Sequence, residues 1–205
     1  MASTATDVSI SSNALMRLGA GSINSFDEAD VSGANLDFVK LASNLWPTVR
    51  KAVLRQHAWN CATQRVLLSP DATPPAFGFA NRFLIPGDWL KTLQVGIDER
   101  YRCAWRSEGR YFLSDEAAFP LVYVFDNQIV GTWDAALVQA VELAMAFAMC
   151  YPVTKSTSLK EALGQEFGMV VQQARTADGQ DDPGETLGDS ILLASRFGGL
   201  AGAYP

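Results

Sequence analysis

One pair of residues has the types and the spacing to do chemistry together. His57, the single histidine, lies four positions before Cys61, so the two side chains could share one face of a helix. An imidazole beside a thiol can act as a nucleophilic couple, and it can also supply half of a metal site. Because no further ligand at metal-binding spacing lies nearby, we expect a histidine at a helix end beside a buried cysteine, with no metal bound.

The carboxylate pairs of the sequence do not favour acid–base catalysis. Asp115-Glu116 and Asp181-Asp182 are each adjacent in sequence, and adjacent side chains of a strand point to opposite faces. The alternative is an enzyme with its site in a cleft, for which Glu108 and Asp115 are the first candidates as acid and base. One histidine and scattered carboxylates do not supply a convergent set, so we expect no catalytic residue and no cofactor.

A short glycine-rich stretch, Gly19-Ala-Gly-Ser22, has the look of a phosphate-binding loop. It lacks a following Gly-Lys-Ser/Thr, and it comes after a helical pattern rather than after a strand. These features favour the termination of a helix over the binding of a phosphate.

Arginines and aromatic residues interleave between residues 100 and 111. Such a pattern can bind single-stranded nucleic acid or phosphates. The same stretch also carries acids, among them Glu108, which favours a mixed-charge hairpin face used between subunits or against another protein. The candidate residues of this interface are Arg100, Arg102, Trp105, Arg106 and Arg110.

Helical periodicity predicts the elements at both ends of the chain. The predicted helices cover residues 7–18, residues 34–56, a stretch from 133 that ends at Pro152, and a stretch after Pro152 with Ser158 and Glu161 as a capping box. Pro47 is expected to kink or divide the second helix near Trp46. The predicted core face of that helix consists of Phe38, Ala42, Leu45, Val49 and Ala52.

Between residues 61 and 130 the hydrophobic period changes to two, which indicates strands. Residues 93–97 and 101–105 alternate, with hairpin-sized breaks at 98–100 and 107–109. Further apolar strand candidates are 111–113 and 121–125, and residues 69–79 are rich in proline and predict an extended loop. The sequence therefore predicts a meander-like β subdomain.

The element order predicts an α+β fold. Residues 1–60 and 131–178 form a small helical bundle, because neither helical part can bury its apolar stripe alone, and residues 61–130 form an inserted antiparallel β subdomain. Residues 179–205 are expected to form an extended, flexible C-terminal arm that becomes ordered on a partner. The arm residues expected to make that contact are Ile191, Leu192, Leu193, Arg196 and Phe197.

The composition excludes several classes of protein. The 205 residues include 16 basic and 22 acidic ones, and a net charge of −6 argues against a clamp on duplex DNA, which needs a basic face. No apolar run approaches ~18 residues, so no membrane-spanning helix is expected. The first residues lack the pattern of a secretory signal. Three widely spaced cysteines fit a reducing compartment rather than a disulfide framework.

Several moderately distinctive segments follow one another between about residue 10 and about residue 180. They are SSNALMRLGAGSINSFDEAD, VRKAVLRQHAWNCATQRVLL, FANRFLIPGDWLKTLQV, SEGRYFLSD and CYPVTKSTSLKEALGQEF. Taken in this order, they resemble the tail tubular protein A family of bacteriophages. No single stretch among them is a catalytic signature.

The resemblance implies a structural function. Members of this family are head-to-tail adaptors that form a ring, dodecameric in the studied phages, below the portal protein, with the tail nozzle or tail tube docked beneath. It implies that duplex DNA passes through the ring without specific binding, and that the arm reaches the portal or a neighbouring subunit. It also implies a virion protein that is assembled in the host cytoplasm, with no membrane partner. Another neck protein, such as a stopper or tail-completion factor, is the alternative, and a tail enzyme that degrades the cell wall is a further one.

Overall fold

A computed structural model describes residues 5–27, 35–97 and 103–180 of the chain. These residues form four α-helices and six β-strands, which confirms the α+β fold. The helices are α1 (Asp7–Arg17), α2 (Asn35–Gln56), α3 (Ala135–Thr154) and α4 (Thr157–Gln180). The strands are β1 (Thr63–Leu68), β2 (Asn81–Leu84), β3 (Trp89–Val95), β4 (Trp105–Glu108), β5 (Tyr111–Ser114) and β6 (Phe119–Phe125), all between α2 and α3.

Both ends of α1 are set by local sequence. Thr6 and Ser9 form a reciprocal capping box, in which each side chain accepts a hydrogen bond from the backbone N–H of the other residue. The helix ends before Gly19, which has φ +72°, a conformation that glycine adopts without steric cost. Gly19 therefore serves to end a helix, as the sequence favoured over a phosphate loop.

The second helix is continuous through Pro47, so of the two predicted outcomes, a kink or a division near Trp46, the division is wrong. Its core face is also shifted by about one position from the predicted one, because Val39, Trp46 and Val53 are the residues that become fully enclosed. Of the predicted face only Ala42 is fully buried, while Phe38, Leu45 and Val49 are half-buried at its edge and Ala52 is exposed.

The third helix lies at the centre of the bundle and packs against α1, α2 and α4. It is long and apolar enough, by length and composition alone, to cross a membrane, a property that the sequence pattern did not bring out. Half of that apolar stretch is buried inside the fold, as in the central helix of a bundle.

Two predicted helix boundaries are wrong. The third helix continues past Pro152 to Thr154, and its last turn is closed by Thr154 Oγ1, which donates to the Cys150 carbonyl at 2.7 Å. Lys155 then ends the helix with φ 58°.

In the fourth helix, Ser156 rather than Ser158 caps the N-terminus, because Ser156 Oγ accepts from the Leu159 N–H at 3.2 Å.

The strands form two three-stranded antiparallel sheets, and this corrects the predicted meander. The first sheet has the order β1-β6-β3 and the second the order β2-β5-β4, so most neighbours are not consecutive in the chain. The predicted strand at residues 101–105 begins only at Trp105 in the described part of the chain, and β3 ends at Val95, before Ile97. The hairpin between β4 and β5 turns at Gly109 and Arg110, where Gly109 has φ +60°.

Two apolar cores fill these layers. The larger lies between the four helices, and the smaller lies between the sheets. Stacked rings form the centre of the smaller core, where Phe119 stacks on both Phe83 and Phe112, with ring centroids 5.2 Å apart in each pair.

Candidate interaction surfaces

The strand register places one end of the β subdomain far from the helical bundle. Leu68 of β1 pairs with Phe119 of β6, and the N–H of Gly96, just after β3, donates to the Pro120 carbonyl. The opposite end of the same sheet, at Val124, joins the bundle core. We call the loop 69–80 together with residues 96–97 and 115–118 the distal end.

The distal end carries the two most exposed large apolar side chains of the described residues. Phe77 is 88 % exposed and Ile97 is 78 % exposed. The prolines of residues 69–79 predict the loop of Phe77, but only the fold shows that its ring finds no apolar cover. Strongly exposed aromatic and aliphatic side chains at one end of a subdomain are a feature of surfaces that bind other proteins.

Hydrogen bonds fix the loop of Phe77 at both of its ends. The Asp71 N–H donates to the Arg82 carbonyl at 2.8 Å, and the Ala80 N–H donates to Asp115 Oδ1 at 2.8 Å. A backbone hydrogen bond from Thr73, followed by the Arg82 guanidinium 3.1 Å away, lowers the pKa of the Asp71 carboxyl below its usual value. Phe77 is thus presented on a loop with anchored ends.

The structure separates the predicted arginine and tryptophan of the β4–β5 hairpin. All four residues of β4 are exposed, and β4 is an edge strand of its sheet. Trp105 is 40 % exposed and lies edge-on to Phe112, with ring centroids 5.6 Å apart, so it partly covers the small core. Arg106 is the next residue and points to the opposite face. The two therefore do not form one aromatic and cationic platform.

The outer face of the second sheet combines charged and apolar side chains. Arg82 lies over the Tyr111 ring at 4.4 Å from its centroid, beside the exposed Leu84. The register places Arg106 opposite Leu113 and Glu108 opposite Tyr111 on this face. The sequence missed Arg82, because its partner Tyr111 is distant in the chain and is reached only through strand pairing.

Of the remaining predicted interface residues, one lies in the hairpin turn, and the others lie outside the described residues. Arg110 is exposed in the turn of the hairpin, and its carbonyl accepts from the Ile85 N–H. Arg100, Arg102 and the arm residues Ile191, Leu192, Leu193, Arg196 and Phe197 lie outside the described residues.

His57 and Cys61 take separate roles instead of forming a couple. His57 Nε2 lies 3.3 Å from Asp178 Oδ2 near the end of α4, and the same carboxylate accepts from the Asn60 N–H at 3.1 Å. Burial raises the pKa of the Cys61 thiol to about 11, with Asp178 adding to the effect. A thiol held protonated is a poor nucleophile. Within residues 5–27, 35–97 and 103–180, no group of three histidine, cysteine or acidic side chains could hold a metal ion.

The two carboxylates considered for catalysis lie at opposite ends of one hairpin. Glu108 pairs with Tyr111 next to the turn, whereas Asp115 follows the far end of β5 and holds the Ala80 N–H. Four strand residues separate these ends, or ~13 Å. Paired glycosidase carboxylates lie ~5–9.5 Å apart, so this pair does not fit that chemistry.

The junction of the bundle and the β subdomain holds a buried ion pair. Arg50 Nε and Nη2 donate to the two oxygens of Asp126, each at 2.8 Å, and both side chains are less than a tenth exposed. Next to it, the Asn127 side chain donates to the Cys61 carbonyl at 2.7 Å and to Thr132 Oγ1 at 2.9 Å. These contacts tie the end of β6 to α2 and to the entry of β1.

No protein-family model matches the chain, and no curated protein matches its sequence.

Proposed function

We propose that the chain is a structural head-to-tail adaptor of a bacteriophage. In this proposal several copies form a ring that joins the portal protein to the tail nozzle or tail tube and encloses the channel for DNA. The protein would then be part of the virion neck, after assembly in the host cytoplasm.

One observation carries the proposal. The distal end bears two strongly exposed apolar side chains, Phe77 and Ile97, on a pinned loop and at a strand end. Exposed apolar groups in a fixed place favour binding to another protein, because contact removes them from water without the cost of ordering a loop. The resemblance of the sequence segments to the tail tubular protein A family supplies the identity of the partners.

Charge supports a channel rather than a grip on DNA. A net charge of −6 on each copy suits a ring with an acidic or neutral lumen, through which a duplex can slide, better than it suits a clamp. Weak contacts between each copy and its partner, repeated around a ring, would also add up to a stable joint.

Electron microscopy of the purified protein, alone and mixed with the portal protein of its phage, tests the proposal. We expect rings, or a new layer stacked on the portal ring. A monomer that ignores the portal would overturn the proposal, and a layer that binds only a preassembled portal and adaptor stack would assign the chain to another neck position.

A pair of variants tests the distal end separately. Phe77→Ser and Ile97→Ser should leave the fold intact, because both side chains are largely in solvent, and should abolish docking of the nozzle or tail tube. The matched control is Met169→Ser, which removes an exposed apolar side chain from α4. Tail docking that survives in both variants would remove the distal end from the interface.

A further inference from the structure

An apolar groove runs along the helical bundle between α2 and α4, with α3 as its floor. Its volume is about 290 Å³. Its lining includes Val49, Ala52, Phe147, Ala148, Gly164 and Phe167. It forms because α2 and α4 both pack on α3, and because Gly164 has no side chain to fill the space beside Phe147, whose ring would lie 3.2 Å from an added Cβ.

Two cations lie at opposite ends of this groove. Arg175 of α4 donates to the Gln56 carbonyl at 3.2 Å, next to one end of the lining. Lys160 of α4 lies 5.0 Å from the centroid of the Phe147 ring at the other. No carboxylate is among the lining residues. The groove therefore suits an apolar segment that carries acidic residues at the Arg175 end.

The chain itself contains such a segment directly after α4. Its sequence from residue 181 is DDPGETLGDSILLASRF, in which Ile191, Leu192 and Leu193 form the compact apolar cluster. Asp182-Pro-Gly184 has the composition of a reverse turn, which would send the chain back along the helix it has just left.

The distances along the helix and along the segment agree. Gly164 and Phe167 lie 16 and 13 residues before the end of α4 at Gln180, or ~20–24 Å along the helix axis. Ile191 lies 7 residues beyond Gly184, or ~23 Å of extended chain. A segment that turns at Gly184 thus brings Ile191 level with the groove.

Charge agrees with the same register. In the antiparallel path, Glu185 comes within a few ångströms of the level of Arg175. Arg175 Nη2 is engaged by Gln56, but its buried Nε has no hydrogen-bond partner among the described residues. Arg196 would lie beyond the start of α4, past Lys160 and outside the groove.

We propose that residues 185–193 of the free subunit dock in the α2–α3–α4 groove of their own chain. A tether of a few residues makes this contact intramolecular, with an effective concentration in the millimolar range, which favours the chain's own groove over that of a second copy. In this state the arm is stored on its own subunit, and any partner that uses Ile191, Leu192 and Leu193 must compete with the groove. This inference goes beyond the proposed function and does not depend on it.

Methyl NMR of the full-length chain tests the docking. We expect nuclear Overhauser effects between the Ile191 δ1 methyl and the methyl groups of Val49 and Ala148. A mixture of labelled and unlabelled chains separates contacts within a chain from contacts between chains. Effects seen only between chains would assign the groove to a second copy, and the absence of any effect would show that the groove does not take this segment. Either outcome overturns the proposal.

Three variants give the test a control. Leu192→Asp changes the segment and Ala52→Glu places a carboxylate on an exposed wall position of the groove, so neither disturbs the core of the bundle. Both should abolish the effects at Val49 and Ala148. Leu200→Asp, an equal change farther along the chain, should retain them. Docking by residues 185–193 would be contradicted if these nuclear Overhauser effects were also lost in Leu200→Asp, or if they persisted in Ala52→Glu.

Discussion

Arg50 and Asp126 form a two-pronged ion pair where α2 meets the end of β6, with both donor–acceptor distances at 2.8 Å. The residues are 76 positions apart in the chain and less than a tenth exposed. Since α2 belongs to the bundle and β6 passes through both cores, this contact fixes the β subdomain relative to the helices. In the adaptor that we propose, this fixed joint would hold the distal end in place relative to the helical bundle.

Removal of one partner of this pair should destabilise the protein strongly. Asp126→Asn leaves the Arg50 charge buried without compensation, which costs about 3–5 kcal/mol. Urea denaturation measures the loss. Lys51→Ala is the control, because Lys51 lies 3.8 Å from the same carboxylate but is about half exposed, so its removal should cost under about 1 kcal/mol. Equal losses of unfolding free energy in Asp126→Asn and Lys51→Ala would show that the Arg50–Asp126 pair is not the stabilising contact.

The Cys61 thiol should be unreactive in the folded protein. With its pKa raised to about 11 by burial, the thiolate fraction at pH 8 is about a hundredfold lower than for a thiol with the ordinary value of 9.0. Alkylation with iodoacetamide, followed by mass spectrometry of the peptides, gives the rate at each cysteine. We expect Cys103 to react before Cys61, because the Cys103 thiol is less buried. Faster labelling of Cys61 than of Cys103 would contradict the buried environment.

Alkaline pH should destabilise the fold through Tyr123. Burial, followed by the Asp88 carboxylate 3.1 Å from its hydroxyl, raises the pKa of Tyr123 to about 12 from the ordinary 10.0. Because the unfolded state releases this proton first, the stabilisation is present below pH 10 and is lost as the pH rises toward 12. Urea denaturation at pH 9, 10 and 11 measures the fall. The free energy of unfolding should fall less over this pH range in Tyr123→Phe. An identical fall in that variant would show that other groups cause the alkaline destabilisation.

Two glycines of α4 should respond differently to alanine. Gly168→Ala adds a methyl group into open space, and the better helix propensity of alanine should stabilise the protein by up to about 1 kcal/mol. Gly164→Ala brings the same methyl group to 3.2 Å from the Phe147 ring, so part of that gain is spent on displacing the ring. Thermal or urea denaturation of both variants gives the difference. An equal gain at both positions would mean that Phe147 moves freely.

Hydrophobic period alone determined the order of the elements. Apolar residues at helical spacing placed all four helices, and alternation between residues 61 and 130 placed the strands between α2 and α3. These patterns are local, so they are readable from a few neighbouring residues. Two helix ends were wrong: Pro152 lies inside α3, whose last turn carries a hydrogen bond from the Thr154 hydroxyl to the Cys150 carbonyl, and Ser156 rather than Ser158 provides the cap of α4.

Tertiary structure decided which residues meet. The partners Arg50 and Asp126, His57 and Asp178, and Arg82 and Tyr111 are brought together by chain crossings and strand register that no local pattern encodes. The same is true of exposure: the loop of Phe77 was predicted from its prolines, but only the packing of the two sheets leaves that ring in solvent. Sequence determined the elements because propensity and periodicity act over one turn or one strand, whereas the surfaces that could bind partners depend on contacts between residues far apart in the chain.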